Sequence, residues 1–181
     1  LSAEKDPSLR LSIDSCDIEF TDRWQGVQHI HLEGELDDYV LRRGDGMYAY
    51  NLAVVLDDIA MGITEVIRGD DLLDTTGQQI YLYKTLQQCL HSRDMKVPSS
   101  GYVTLLIDSE GYRLSKRQKS ITIRELRDNQ WSANRIVGEL AIAGGLVQAN
   151  TLKNREISIS ELIEIDLNLP TLSQKMIEIK I

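Results

Sequence analysis

The spacing of hydrophobic positions changes along the chain, and each spacing predicts a different element. After Tyr50, apolar residues recur three, four and seven positions apart, at Leu52, Val55, Leu56 and Ile59. This spacing places them on one face of a helix. Gly62 follows soon after, and glycine readily adopts the left-handed conformation found at helix C-termini. We therefore predict a helix that begins near Tyr50 and ends at Gly62.

Two short runs predict buried strands. Residues 63–67 are rich in β-branched side chains, as expected of a central strand in a parallel sheet, and residues 102–107 form the second run. Arg68 follows the first run and is expected at the carboxyl end of its strand, where open α/β sheets bind ligands. Between the runs, Thr75 and Gln78 have the spacing of a capping box and predict a helix through Ile80, Tyr83 and Leu90.

The two ends of the chain carry other patterns. Residues 1–38 alternate short apolar and polar runs and predict short strands, and residues 39–41 predict a strand that ends at the turn 44–46. Small helices are predicted after residue 120 by the capping boxes Thr122/Glu125 and Ser158/Glu161, and by the stripe Ile136, Val137, Leu140 and Ala141 before Gly144-Gly145. We predict an α/β fold in three segments: a strand-rich region over 1–38, an α/β region over 39–120 and a helical subdomain over 121–181.

The charge balance singles out one segment. The chain has a formal net charge of −8 and a pI near 4.9, yet Arg113, Lys116, Arg117 and Lys119 lie within seven residues. A local cationic cluster in an acidic protein predicts contact with a concentrated anion, most simply a polyphosphate. The alternative is a basic turn exposed to solvent.

Composition also narrows the class of protein. No apolar run approaches the roughly 18 residues needed to span a membrane, and the first residues lack the pattern of a signal peptide. Cys16 and Cys89 lie far apart without the spacing of metal ligands, which favours free thiols in a reducing compartment. We expect a cytoplasmic monomer without membrane contact.

The cationic segment and an upstream segment together resemble a known family. Residues 113–117, Arg-Leu-Ser-Lys-Arg, resemble the lysine-serine-lysine loop that class I aminoacyl-tRNA synthetases place over the triphosphate of ATP. Residues 45–58 and 62–73 resemble the second half of the bacterial glutamyl-type catalytic domain. The resemblance extends over residues 38–120. It implies the second half of a Rossmann-type nucleotide-binding fold, followed by the helical subdomain.

The resemblance also implies roles for individual residues. Lys116 is expected to supply positive charge at the α-phosphate of ATP and Ser115 to donate a hydrogen bond, which makes these two the catalytic candidates. ATP contacts fall on Arg113, Leu114, Lys116, Asp71 and Leu72. The glutamate pocket falls on Tyr50 and Arg68, which keep the family's spacing of eighteen residues. A surface salt bridge is the alternative for Arg68, and a packed helix residue is the alternative for Tyr50.

The chain departs from the family pattern in several places. Tyr102 and Thr104 stand where relatives carry a His-x-Pro sequence, and Arg113 replaces the first lysine of the loop. The His-Ile-Gly-His loop and the cysteine zinc site of the family's first half are absent. We therefore expect the chain to be the C-terminal part of a longer enzyme, inactive alone, with zinc possible only in the upstream part.

Within the family, the chain most resembles the glutamyl-Q tRNA(Asp) synthetases, shortened members that attach glutamate to a queuosine base in tRNA. The resemblance implies that glutamate is activated by ATP, accompanied by Mg²⁺, to glutamyl-adenylate. The glutamate is then transferred to tRNA, most simply to the queuosine of tRNA(Asp). One alternative is a truncated glutamyl-tRNA synthetase that charges the tRNA 3′ end. The other is a noncatalytic module that binds tRNA or a protein partner.

Two further groups of charged residues have an acid/base or metal interpretation. Asp57 and Asp58 lie near the C-terminus of the predicted helix, where the helix dipole disfavours carboxylates, so structural partners are the favoured interpretation. Another set would share one face of a strand and could in principle bind a metal: His29, His31, Glu33 and Glu35. A strand face exposed to solvent is favoured for this set, and we assign no metal ligand.

Overall fold

The structure is a computed structural model that describes residues 6–34, 38–91, 95–107, 114 and 122–165, and the backbone of 176–178. Strands and helices are mixed, as predicted. The chain divides into two compact units, Leu1–Tyr102 and Val103–Ile181. Each is described by itself, and the three-segment division inferred from the sequence stays a prediction.

The first unit contains a four-stranded sheet and a separate strand pair. The elements of this unit are β1 (Leu9–Leu11), β2 (Cys16–Asp22), β3 (Gly26–Leu32), β4 (Tyr39–Arg42), α1 (Tyr50–Met61), β5 (Glu65–Gly69), a 3₁₀ segment (Asp70–Thr75), α2 (Thr76–Cys89) and β6 (Ser99–Val103). The sheet has the order β3-β2-β6-β5, and β1 pairs with β4 in antiparallel fashion. Strand β2 is antiparallel to β3 and parallel to β6, with Asp22 opposite Ser100.

Strand β5 covers Glu65–Gly69, two residues later than the predicted 63–67, and its surroundings also differ from the prediction. Within the described sheet β5 is an edge strand, and its Ile67 is 58% exposed. The predicted central position is therefore wrong for the described residues. A run of β-branched residues indicates a strand, but it contains no information about which strands lie beside it.

The core of this unit lies between the strands and the two long helices. Its buried residues come from β2, β3, β4, α1, α2 and the segment after β1: Ile13, Ile18, Leu32, Tyr39, Val55, Ile80, Leu82 and Tyr83. Of the stripe predicted for α1, Val55 is fully buried, whereas Leu56 is 41% exposed. The helix therefore contacts the core along a narrower face than the spacing alone predicted.

One helix end matches the prediction and another does not. Gly62 ends α1 with φ 65° and ψ 36°, and its N–H donates to the carbonyls of Asp58 and Ile59. Thr75, by contrast, does not cap α2, so the predicted capping box is wrong. Its backbone is already helical (φ −79°, ψ −10°), and its hydroxyl donates to the Leu72 carbonyl at 2.8 Å. A 3₁₀ segment runs directly into α2, so no free helix N-terminus exists at this point.

The run 102–107 forms two strands where one was predicted. Strand β6 ends at Val103, and β7 (Leu105–Ile107) pairs in parallel with β8 (Met176–Glu178) in the second unit. The two strands have different partners, and a break at Thr104 separates them. Apolar composition is the same on both sides of that break, so the sequence pattern could not show it.

Three short helices form the helical part of the described second unit. They are α3 (Ile123–Asp128), α4 (Ala133–Ala143) and α5 (Ile159–Glu164), with 3₁₀ turns at Ala149–Thr151 and Lys153–Arg155. The two predicted capping boxes, at Thr122 and at Ser158, are both formed. Helix α4 ends at the predicted glycine pair, Gly144-Gly145. Among the described residues, no helix is long and apolar enough to cross a membrane.

Candidate functional site

Arg68 lies at the C-terminal end of β5, as predicted, and most of its hydrogen-bonding capacity is unused. Its Nη2 donates to Oε1 of Gln79 at 2.8 Å. Its Nε and Nη1 are buried and have no hydrogen-bond partner among the described residues. A guanidinium has five N–H donors, and a buried donor without an acceptor costs about 1 to 3 kcal/mol. The arrangement therefore suits a ligand that brings acceptor oxygens.

A cavity of about 70 Å³ lies beside this guanidinium. Its polar lining comes from β5, α2, α1 and the start of β6, and includes Arg68, Gln79, Tyr83, Asp58 and Ser100. The Tyr83 and Ser100 hydroxyls are also buried without partners in the described part of the chain. Three side chains around one cavity thus hold unused donors, which is unusual in a folded interior.

The charge state of Tyr83 follows from its surroundings. Burial, together with the Asp58 carboxylate, raises its pKa to about 12, although the positive charge of Arg68 acts in the opposite direction. Tyr83 is therefore a neutral phenol at physiological pH. Its hydroxyl can donate a hydrogen bond, so Tyr83, like Arg68, needs an acceptor.

A buried and hydrogen-bonded tyrosine lies against Arg68. The Tyr102 ring is fully buried and lies 5.8 Å from the Arg68 guanidinium carbon. Its hydroxyl is hydrogen-bonded to Thr76, and its backbone N–H lies 3.2 and 3.1 Å from the two carboxylate oxygens of Asp22. Asp22 also accepts the N–H groups of the turn that follows β2. The aromatic ring is thus fixed at both ends, and it favours a cation over its face.

Tyr50 and Arg68 are linked through other residues. Tyr50 is the first residue of α1, is 60% exposed and is not part of the cavity lining. The next residue, Asn51, accepts a hydrogen bond from Nε2 of Gln79 at 3.0 Å, and Gln79 holds Arg68. The two predicted glutamate-binding residues therefore belong to elements joined by one hydrogen-bonded chain. Their role in binding glutamate stays a prediction.

The predicted ATP contacts Asp71 and Leu72 lie in the 3₁₀ segment after β5. Asp71 is exposed, and Leu72 is half-buried with its carbonyl accepting the Thr75 and Thr76 hydroxyls. Burial and the nearby charge of Asp71 raise the pKa of Asp70 above its usual range. A role in ATP binding stays a prediction for both residues.

Within the cationic segment 113–117, the structure describes one residue, Leu114. Leu114 is half-buried, and its N–H donates to the Leu106 carbonyl at 3.0 Å within the second unit. Arg113, Ser115 and Lys116 lie outside the described residues, as does Arg117. Their predicted contacts with ATP stay predictions from the sequence.

The other charged candidates have internal partners or internal roles. On the β2–β3 hairpin, His31 Nδ1 lies 2.7 Å from Asp17 Oδ1, and His29 Nδ1 lies 3.3 Å from Glu19 Oε2. The described residues contain no group of three or more His, Cys, Asp or Glu side chains that could hold a metal, and Glu35 lies outside them. Asp57 and Asp58 lie in the C-terminal half of α1 and do not share a site: Asp57 is exposed, whereas Asp58 lines the cavity.

The sequence reasoning missed the polar face of α2. Thr76, Gln79 and Tyr83 are spaced three and four residues apart, so they share the face that also buries Ile80. Polar residues at core-facing positions of an amphipathic helix were the available signal, because buried polar groups need partners. Asn51 and Ser100 gave no comparable signal.

The chain is similar to proteins of known family. Residues 1–177 match the family described as tRNA synthetases class I (E and Q), catalytic domain. Glutamyl-Q tRNA(Asp) synthetase of Symbiobacterium thermophilum is 42% identical over 143 residues, which cover 79% of this chain and 42% of that protein. The protein of the same name from Burkholderia cenocepacia is 47% identical over 117 residues, or 64% of this chain and 37% of that protein.

A solved structure shows the same fold. The glutamate-tRNA synthetase from Elizabethkingia anophelis superposes with a TM-score of 0.71 at 24% sequence identity, covering 93% of this chain and 36% of that one. The chain thus spans about two fifths of the length of the curated relatives it matches. The predicted fold, the second half of a class I synthetase α/β domain followed by a helical subdomain, is confirmed. With nearly its whole length matched, the chain belongs to the class I tRNA synthetases for glutamate and glutamine, within their catalytic domain.

Proposed function

We propose that the protein containing this chain activates glutamate with ATP and transfers it to tRNA, to the queuosine base of tRNA(Asp). Relatives that are 41 to 47% identical to this chain carry the name glutamyl-Q tRNA(Asp) synthetase. The observation that carries the proposal within the structure is Arg68, a buried guanidinium with unused donors at the end of a strand.

Arg68 is assigned to a carboxylate of glutamate. One of its N–H donors is used by Gln79, so Nη2 keeps a second hydrogen, and Nε and Nη1 have no acceptor among the described residues. Two parallel N–H bonds to a carboxylate fix its direction as well as its charge. Tyr50 is assigned to the same substrate from the first turn of α1.

The activation step needs little covalent chemistry from the protein. A carboxylate oxygen of glutamate attacks the α-phosphorus of ATP, the bond to the bridging oxygen breaks, and pyrophosphate leaves. The protein contributes position and positive charge where negative charge develops. We assign that charge to Lys116, with a hydrogen bond from Ser115, and ATP contacts to Arg113, Leu114, Asp71 and Leu72. Mg²⁺ is expected to arrive with the ATP phosphates.

The whole gene product that contains these residues is the material for the test. Glutamate-dependent exchange between ATP and pyrophosphate measures activation, with glutamine and aspartate as matched controls. Labelled glutamate is then offered to tRNA(Asp) with and without queuosine, and the labelled fragment is identified after nuclease digestion. We expect the label on the fragment that contains queuosine.

Each other result supports a different function. Label on the 3′-terminal fragment supports a glutamyl-tRNA synthetase, whose solved examples share this fold. Absence of any glutamate-dependent exchange, with tRNA binding retained, supports a noncatalytic module. A cytoplasmic, monomeric protein stays our expectation.

A further inference from the structure

We propose that Gln79 and Asn51 are positioning residues that aim the Arg68 guanidinium at its carboxylate and tie its direction to the first turn of α1. This inference rests on the proposed function, because it concerns how the same site binds its substrate. The three side chains form one series of hydrogen bonds: Arg68 Nη2 donates to Gln79 Oε1 at 2.8 Å, and Gln79 Nε2 donates to Asn51 Oδ1 at 3.0 Å.

The donor and acceptor roles in this series of hydrogen bonds follow from the side chains involved. Arginine has donors and no acceptor, so Gln79 must turn its amide oxygen toward Arg68. The amide nitrogen of Gln79 then points to Asn51, which must present its own oxygen. Reversing the Gln79 amide would lose both hydrogen bonds, whereas reversing the Asn51 amide would bring donor against donor and lose the second one. Arg68 therefore sets one consistent orientation for two neutral amides.

Burial makes the orientation consequential. Gln79 is 5% exposed, and Arg68 Nε and Nη1 are fully enclosed. In such surroundings water cannot replace a missing partner, so loss of the Asn51 acceptor frees the Gln79 amide to rotate. A misdirected guanidinium still has its charge, but it can no longer form two parallel bonds to a carboxylate.

This series of hydrogen bonds also connects two parts of the predicted glutamate pocket. Arg68 is on β5, Gln79 is on α2, and Asn51 follows Tyr50 at the start of α1. A displacement of the first turn of α1 is thus transmitted to Arg68 through two hydrogen bonds. We infer that Tyr50 and Arg68 are held at a fixed mutual geometry by Asn51 and Gln79.

Steady-state kinetics of the whole gene product tests the inference through Asn51→Leu and Asn51→Asp. The leucine removes the acceptor, whereas aspartate keeps an oxygen for Gln79. We expect Asn51→Leu to raise the glutamate KM about tenfold, as one hydrogen bond in a chain to a charged group would. The ATP KM should stay unchanged, and Asn51→Asp should restore the glutamate KM to within about threefold of wild type. Gln88→Leu, on the exposed end of α2, is the matched control and should have no effect.

A second measurement does not depend on catalysis. In ¹⁵N spectra of the arginine side chains, a held guanidinium gives separate, slowly exchanging Nη signals. Gln79→Leu should average the Arg68 signals, while Arg155, which is bonded to Glu139, provides an internal reference. Unchanged Arg68 signals in Gln79→Leu, or an unchanged glutamate KM in Asn51→Leu, would overturn the inference.

The two proposals fail in different ways. If the wild-type protein activates no glutamate, the proposed function is wrong, and the arginine spectra still decide whether Gln79 holds Arg68. If Arg68→Lys raises the glutamate KM but Asn51→Leu does not, the proposed function stands and the positioning role is wrong.

Discussion

Two arginines in this chain show opposite arrangements of the same group. Arg155, in the second unit, donates from Nε and Nη2 to the two carboxylate oxygens of Glu139 at 2.6 and 2.5 Å. These hydrogen bonds raise the pKa of Arg155 above its ordinary value. Arg68, in the first unit, has one amide partner, and within the described part of the chain its other two nitrogens are enclosed without acceptors.

This difference is the reason that we propose a structural role for Arg155 and a ligand-binding role for Arg68. Glu139 is 7% exposed and supplies a carboxylate to Arg155 from within the chain, so that guanidinium needs no ligand. The chain supplies no carboxylate partner to Arg68 among the described residues, although it buries the group at the end of a strand. Burying donors without acceptors is unfavourable for folding. Such an arrangement is expected where a substrate supplies the missing acceptors.

The largest expected effect concerns the attack on the α-phosphate of ATP. We assign this step to Lys116 and to neither of the two arginines. Lys116→Ala in the whole gene product should lower single-turnover formation of glutamyl-adenylate at saturating ATP by about 10² to 10³, because its charge is needed when the α-phosphate is attacked. Glutamate affinity should change little. Arg117 and Lys119 lie nearby and can reduce the loss.

A matched control for this change is Lys153→Ala, which removes an exposed lysine outside the loop. It should form adenylate at the wild-type rate. If Lys116→Ala also matched wild type, the segment 113–117 would be a solvated basic turn, and the enzymatic proposal would lose its phosphate-binding element.

The second effect tests the comparison directly. Arg68→Lys should raise the glutamate KM by about 10- to 100-fold with little change in the ATP KM, because an ammonium cannot reproduce two parallel N–H bonds. Arg155→Lys is the control and should leave the glutamate KM unchanged. Equal changes in both substrates' KM for Arg68→Lys would show that Arg68 does not bind the amino acid.

The converse change should affect stability alone. Glu139→Gln removes the charge that Arg155 faces and should lower the thermal unfolding temperature by roughly 2 to 8 °C, as loss of a charged partner typically does. The glutamate KM should remain at the wild-type value. A raised KM in this variant would mean that the pair also supports substrate binding, and the distinction between the two arginines would not hold.

Local signals explain most of what the sequence predicted about the fold. Gly62, the Thr122 capping box and the Ser158 capping box all depend on residues within one turn of a helix, so the sequence contains the whole interaction. Thr75 has the same type of spacing but lies inside a 3₁₀ segment that continues from β5. Which of two local conformations forms there depends on the strand before it.

The site was partly predictable for the same reason. Arg68 follows a β-branched run, and a strand end can be read from such a run. Its partner Gln79, the enclosed hydroxyl of Tyr83 and the link to Asn51 depend on how α1, α2 and β5 pack together. Packing between elements is set by side chains distant in sequence, so no local pattern could predict these contacts.

The smallest expected effect concerns Tyr83, whose buried hydroxyl shares the cavity with Arg68. Burial and the Asp58 charge raise its pKa from 10.0 to about 12 in the folded protein. The neutral phenol is thus favoured by folding: its contribution is fully present below pH 10 and is lost as the pH rises toward 12. Tyr83→Phe should change the free energy of unfolding at pH 7 by no more than about 1 kcal/mol, since the hydroxyl has no hydrogen-bond partner among the residues that the structure describes. It should also reduce the loss of stability between pH 10 and 12.

Urea unfolding across this range measures both effects, with Tyr48→Phe, at a 69% exposed tyrosine, as the control. If wild type and Tyr83→Phe lost stability equally above pH 10, the hydroxyl would be solvated, and the enclosed cavity that distinguishes Arg68 from Arg155 would be open to water.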